Sequence, residues 1–139
     1  MYRMFEGDCL SINIYFDGSC KPPNSHGQTR GGIVFEQEGE IIYTATLDSG
    51  KGTNNYAEFK ALWFGLVRAK QKGYTKANCF GDSTLVINAM NGVCNIRKPS
   101  LLSIFIAIEK LLESFEWVSF MYVKRNTGFH AVADQLSKV

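Results

Sequence analysis

Ser11-Ile12-Asn13-Ile14-Tyr15-Phe16-Asp17 alternates in character, placing Ile12, Ile14 and Phe16 on one face of an extended segment. It reads as a strand that ends on an acid. Residues 18–30, rich in Gly, Pro, Asn and Ser, read as a loop. Residues 31–37 and 41–47 are two further β-rich runs, joined at Glu38-Gly39 by a hairpin turn. Residues 48–53 read as another loop. Residues 55–72 predict a helix. Its Ala57, Ala61, Gly65 and Ala69 recur every four residues as a stripe narrow enough to lie close on a sheet, and Gly73 stops it. A short strand (77–81), a short helix (83–90), a second long helix (101–115), a strand (117–123) and a final helix (129–137) follow. Leu101, Phe105, Ile108, Leu112 and Phe115 line one side of that second long helix.

The order β-β-β-α-β-α-α-β-α implies an antiparallel meander followed by strands that return in parallel through helical crossovers. The fold class is α/β: a mixed five-stranded sheet, three strands antiparallel and two parallel, flanked by helices. A chain of 139 residues suits a single domain, 1–139, with residues 1–10 as an N-terminal extension of unassigned role. Hydrophobic residues at 45% and charged residues at 20% are ordinary for a globular protein, and no apolar run reaches the ~18 residues of a membrane span. The start lacks a secretory apolar stretch, so the expectation is a cytoplasmic protein without membrane contact. Nothing marks an interface, so a monomer is expected. The net charge of +2 permits a phosphate-bearing partner without demanding one. Cys9, Cys20, Cys79 and Cys94 form no C-x-x-C pair, and with only His26 and His130 available a structural zinc site is not expected.

Four acids stand at suggestive places. Asp17 closes the first strand and Asp82 the fourth. If those strands are parallel neighbours, both acids project at the carboxyl edge, where open α/β sheets carry their sites. Glu58 lies in the first turn of the long helix and Asp134 on the last helix, and either can reach that edge. Gathered carboxylates repel, and divalent cations with hard oxygen preferences relieve the repulsion. Two Mg²⁺ or Mn²⁺ ions about 3.5–4 Å apart can clamp the attacking and leaving oxygens of a phosphodiester. Each acid alone has an ordinary structural explanation as well. Asp17-Gly18 makes a turn, Glu58 completes a cap begun by Asn55, Asp82-Ser83 caps a helix, and Asp134 is a solvated surface acid.

Taken together the motifs resemble the type 1 ribonuclease H family, nearest its archaeal and plant-like subgroup. The resemblance rests on Phe16-Asp17-Gly18-Ser19, on Thr53-Asn54-Asn55-Tyr56-Ala57-Glu58, on Gly81-Asp82-Ser83 with Leu85-Val86-Ile87, and on the run from His130 to Ser137. It implies an endoribonuclease that hydrolyses the RNA strand of an RNA/DNA hybrid and leaves 5′-phosphate and 3′-hydroxyl ends. The implied catalytic and metal-holding quartet is Asp17, Glu58, Asp82 and Asp134, with two Mg²⁺ or Mn²⁺ ions. It further implies that Gly18, Ser19 and Cys20 read RNA 2′-hydroxyls, that Asn54 and Asn55 touch the minor groove, and that Thr53 grips a DNA-strand phosphate.

The chain departs from the family pattern in three ways. His130 stands where Asn is frequent, so a catalytic role by donation or proton transfer is open beside a structural one. Residues 124–128 lack the loop His of some members, and Arg125 is the candidate phosphate contact there. No basic helix follows the third motif, only Arg97-Lys98. The principal alternative is a non-catalytic nucleic-acid-binding module of the same fold, but such modules usually lose an acid. A 3′–5′ exonuclease usually opens with Asp-x-Glu, which Asp17-Gly18-Ser19 lacks.

Overall fold

The computed structural model describes residues 10–22 and 26–138, so nearly all of the N-terminal extension lies outside the described residues. Its elements are β1 (Ser11–Lys21), β2 (Gly27–Gln37), β3 (Glu40–Gly52), α1 (Asn54–Gln71), β4 (Lys76–Gly81), α2 (Thr84–Met90), α3 (Pro99–Leu112), β5 (Trp117–Tyr122) and α4 (Gly128–Ser137). The sheet order is β3-β2-β1-β4-β5. β1–β2 and β2–β3 are antiparallel, whereas β1–β4 and β4–β5 are parallel. This is the expected mixed sheet. Among the described residues no helix is long and apolar enough to cross a membrane.

Two expected loops are strand instead. Gly18, Ser19, Cys20 and Lys21 continue β1 and pair with Gly31, Arg30, Thr29 and Gln28. Residues 48–52 continue β3. Their Gly, Ser and Lys residues have low strand propensity, but cross-strand partners override it. The Cys20 thiol faces the Gly52 carbonyl at 3.2 Å, and the Thr29 hydroxyl donates to the Gly50 carbonyl at 2.7 Å, so side chains tie the extended ends together. The expected hairpin turn is present, with Glu38 and Gly39 both at positive φ. α3 starts two residues early because Pro99 needs no N–H at the first helical position. It ends at Leu112, after which tight i→i−3 bonds carry the chain to Phe115.

α1 begins one turn-setting residue before the expected start. Thr53 is its N-cap, and the Tyr56 N–H donates to the Thr53 hydroxyl at 3.2 Å. It ends in a Schellman arrangement: the Tyr74 N–H reaches the Ala69 carbonyl and the Gly73 N–H the Lys70 carbonyl. The small stripe Ala57, Ala61, Gly65 and Ala69 is buried against the sheet face that carries Ile12, Ile14 and Phe16. Leu62 and Leu66, fully buried beside it, each stabilise the packing by roughly 1.5–3 kcal/mol. Gly18 sets how near α1 comes. A β-carbon added there would lie 2.3 Å from the Ala57 carbonyl carbon, so only glycine lets the second turn of α1 sit against the end of β1.

α4 covers part of the opposite face. Phe129 packs on Tyr15, with centroids 5.5 Å apart, and Tyr15 stacks on Phe80 at 4.7 Å. At its other end α4 presses on β2, where a β-carbon on Gly32 would meet the Ala133 carbonyl oxygen at 2.5 Å. A strand glycine replaced by alanine ordinarily gains a little stability through the unfolded state. Here the sign should reverse. Gly32→Ala is expected to destabilise by about 1–3 kcal/mol, because a backbone oxygen cannot step aside cheaply. Urea unfolding checks this through a lower midpoint at unchanged slope, and a raised midpoint would contradict the close seating of α4.

Candidate active site

The parallel register sets the site. Ile14 pairs with Cys79 and Tyr15 with Phe80, so Asp17 and Asp82, each two residues further on, reach the same sheet edge together. Asp82 stands just ahead of the α2 N-cap. Ser83 performs the capping, accepting from the Val86 N–H at 3.2 Å, which leaves the Asp82 carboxylate for other work. Glu58 lies in the second turn of α1, not the first, and Thr53 rather than Asn55 caps that helix. Glu58 therefore has no capping role. It is buried, with Oε1 lacking any hydrogen-bond partner. Asp134 enters from α4 and is largely buried as well.

Four elements thus deliver four acids to one place. Asp17, Asp82 and His130 each present a ligand atom within 4.8 Å of the others. The same edge opens into a groove of about 540 Å³ whose walls include Asp17, Glu58, Asp82, Asn54, Asn55 and the Gly18–Lys21 segment. Of the residues expected to contact substrate, Gly18, Ser19, Cys20, Asn54, Asn55 and Arg125 line this groove, while Thr53 does not. The Ser19 hydroxyl donates to the Ser137 carbonyl at 2.5 Å, and the Cys20 side chain is buried, so these two face the groove largely through their backbone.

Positive groups crowd the acids. Lys138 Nζ lies 2.5 Å from Asp134 Oδ1 and 3.8 Å from Asp17 Oδ2. Arg125 Nε stands 3.9 Å from Asp82 and 4.0 Å from Asp134, on a largely exposed side chain. His130 Nε2 is 3.6 Å from Asp17 Oδ1 and 3.8 Å from Asp82 Oδ1, and the ring is fully buried. It lies beneath the carboxylates, away from the groove surface. The Ser137 hydroxyl donates to Asp17 Oδ2 at 2.8 Å. Sequence reasoning had Ser137 only as the end of the fourth motif, with no role at the site, and did not single out Lys138. Their only signal is helical spacing, three and four residues after Asp134.

The electrostatics follow from this crowding. Burial pushes the Asp17 carboxyl up, but contacts with His130, Ser137 and Asp134 outweigh it and hold the group below its usual value. Burial and then the Asp17 charge raise Asp82, against partial relief from His130 and Arg125. Burial opposes the charged form of His130, yet Asp17 above all, with Asp82 and Asp134, lifts it above its usual value. Glu58 has the least relief. Burial, then the charges of Asp17 and Asp82, drive it well above 4.5, with only the Gly18 N–H opposing. A site that loads its own lysine, arginine and histidine against hard oxygen donors has the charge and the donors to hold a divalent cation.

A carboxyl whose pKa is raised by folding favours the folded state below its unfolded value. That advantage is lost as pH rises through the folded value. In EDTA, Glu58→Gln should therefore raise Tm at pH 7–8 by about 3–6 °C, the shift ~1 kcal/mol produces in a domain of this size. The gain should vanish below pH 4.5, where both side chains are neutral. Thermal melts across pH decide it, and a loss of Tm at neutral pH would contradict a strained Glu58.

Comparison with known proteins agrees with this geometry. A family model described as reverse transcriptase-like matches residues 15–139. The ribonuclease HI of Halobacterium salinarum is 30% identical over 122 residues, 88% of this chain and 61% of that protein. The bifunctional protein Rv2228c of Mycobacterium tuberculosis is 33% identical over 102 residues, 73% of this chain and 28% of that protein. The chain thus spans less than two thirds of the length of these relatives. Among solved structures, RNase H1 from Halobacterium salinarum superposes with TM-score 0.85 at 29% identity, covering 92% of this chain and 95% of the other. LC11-RNase H1 in complex with an RNA/DNA hybrid superposes with TM-score 0.82 at 27% identity, covering 91% and 94%. Sheet order, helix placement and the matched span agree: the chain belongs to the reverse transcriptase-like family and carries the ribonuclease H fold.

Proposed function

We propose that the chain acts as one ribonuclease H-like catalytic domain that hydrolyses the RNA strand of RNA/DNA hybrids, leaving 5′-phosphate and 3′-hydroxyl ends. The observation that carries this reading is the meeting of Asp17, Glu58 and Asp82, from β1, α1 and the end of β4, at one groove, with Asp134 of α4 in contact with Asp17 and sharing Arg125 with Asp82. The hybrid seen on LC11-RNase H1 supports the choice of substrate. Within the family we place the chain in the archaeal and plant-like subgroup, on Gly81-Asp82-Ser83 and Leu85-Val86-Ile87 and on its likeness to the halobacterial enzyme.

The four carboxylates would hold two Mg²⁺ or Mn²⁺ ions, which when bound supply Lewis acidity and charge neutralisation at the scissile phosphate. The rest is positioning by this chain. Gly18, Ser19, Cys20, Asn54 and Asn55 line the groove, and through backbone groups and the two amides they would meet 2′-hydroxyls and the minor-groove edge, the features that separate RNA from DNA. Thr53 retains a hydroxyl hydrogen to donate to a DNA-strand phosphate while its oxygen caps α1. Arg125, exposed at the rim, offers a phosphate contact. His130 acts from below by fixing Asp17 and Asp82 rather than by touching RNA, because its ring is fully buried.

The test is cleavage of a labelled hybrid beside RNA/RNA and DNA/DNA duplexes, with Mg²⁺, Mn²⁺ or EDTA. Cleavage confined to the hybrid's RNA strand and abolished by EDTA is expected. Asp17→Asn should lower the rate by at least about 10³-fold while hybrid binding persists, on the scale of removing one strong electrostatic contact to the reacting group. Hybrid binding without cleavage under either metal would instead favour a non-catalytic module.

A further inference from the structure

We propose that His130 Nε2 is a nitrogen ligand to the cation held between Asp17 and Asp82. This rests on the reading of the carboxylate cluster as a metal site and adds a ligand of a different chemical kind.

His130 is fully buried, and neither ring nitrogen has a hydrogen-bond partner. The carboxylates that face it lie beyond hydrogen-bond length, and a buried imidazole that makes no hydrogen bond calls for a further partner. Nε2 points between two carboxylate oxygens, at 3.6 Å and 3.8 Å. Those separations are too long for N–H···O bonds, which cluster at 2.7–3.2 Å. They are, however, the spacing of ligands sharing one ion. Bonds of roughly 2.0–2.2 Å set neighbouring ligand atoms about 3–4 Å apart.

The framework holding these atoms is stiff. Phe129, adjacent to His130, packs on Tyr15 of β1, and Tyr15 stacks on Phe80 of β4. Tyr15 lies two residues before Asp17 on β1, and Phe80 two residues before Asp82, which follows the end of β4. The aromatic stack thus joins the three backbones that carry the three ligand atoms. Arg125 and Lys138 cannot substitute for the ring. They approach Asp82, Asp134 and Asp17 from the solvent side on partly exposed chains. An imidazole ligand shifts preference from Mg²⁺, which favours oxygen and retained water, towards Mn²⁺ and later first-row ions.

The full chain, stripped with EDTA and reloaded with Mn²⁺ alone, gives a direct spectroscopic test. Electron spin echo envelope modulation reports a directly bound imidazole nitrogen. Nitrogen modulation is expected in the parent protein and in His26→Gln, which changes the other, exposed histidine. It should disappear in His130→Asn and His130→Gln, with Mn²⁺ bound at least about tenfold more weakly. Bound Mn²⁺ without nitrogen modulation in the parent protein would overturn the proposal while leaving the carboxylate site intact. Failure of the parent protein to bind Mn²⁺ would overturn both. The parent spectrum decides even if a His130 variant folds poorly.

Discussion

Parallel pairing of β1 with β4 forces Asp17 and Asp82 side by side, and much of the structure answers to the repulsion this creates. Carboxylates in a partly dry site disfavour joint ionisation. The fold adds to the strain instead of spreading it. α1 is drawn in over Gly18 until Glu58 is buried beside the pair, and α4 is pressed over Gly32 until Asp134 borders it. Both approaches require the absence of a β-carbon, so the geometry of the acids is written into two glycines that carry no charge. Stability given up in this way is characteristic of sites whose ligand, once bound, restores it.

Much of this was legible in the residues. The alternation of residues 11–17, the every-fourth small residue of α1 and the strand-ending positions of Asp17 and Asp82 each follow from a short-range rule. Short-range rules were sufficient to give the five strands and their division into antiparallel and parallel, while the order β3-β2-β1-β4-β5 came from the structure. They failed where the partner is distant. Residues 18–21 and 27–30 have loop composition and become strand because they pair with each other and with β3. The burial of His130 is likewise invisible locally, since it depends on a stack between Phe129, Tyr15 and Phe80 that spans three elements. Ser137 and Lys138 matter only because α4 turns that face towards Asp17.

The cations around the acids divide by depth, and the division bears on function. Lys138 and Arg125 stand at the rim on chains long enough to swing away. A lysine ammonium at 2.5 Å from Asp134 can neutralise the cluster when it is otherwise empty and yield to an incoming ion or phosphate. His130 cannot swing. It is enclosed, and its ring is fixed relative to both strands. On the proposed function, a mobile charge outside and an immobile group beneath would let the site be screened before substrate arrives and held in register afterwards. Substrate affinity would, on that function, depend little on bulk charge. The groove is also lined by Asn54, Asn55 and the Gly18–Lys21 segment, which on the proposed reading would meet a duplex through neutral donors by shape and hydroxyls. Phosphate attraction, which weakens as salt rises, would on the same reading be left to a few exposed side chains such as Arg125. On the proposed function, the buried part of the site would serve the chemistry, and discrimination between RNA and DNA would fall to uncharged groups that salt does not screen.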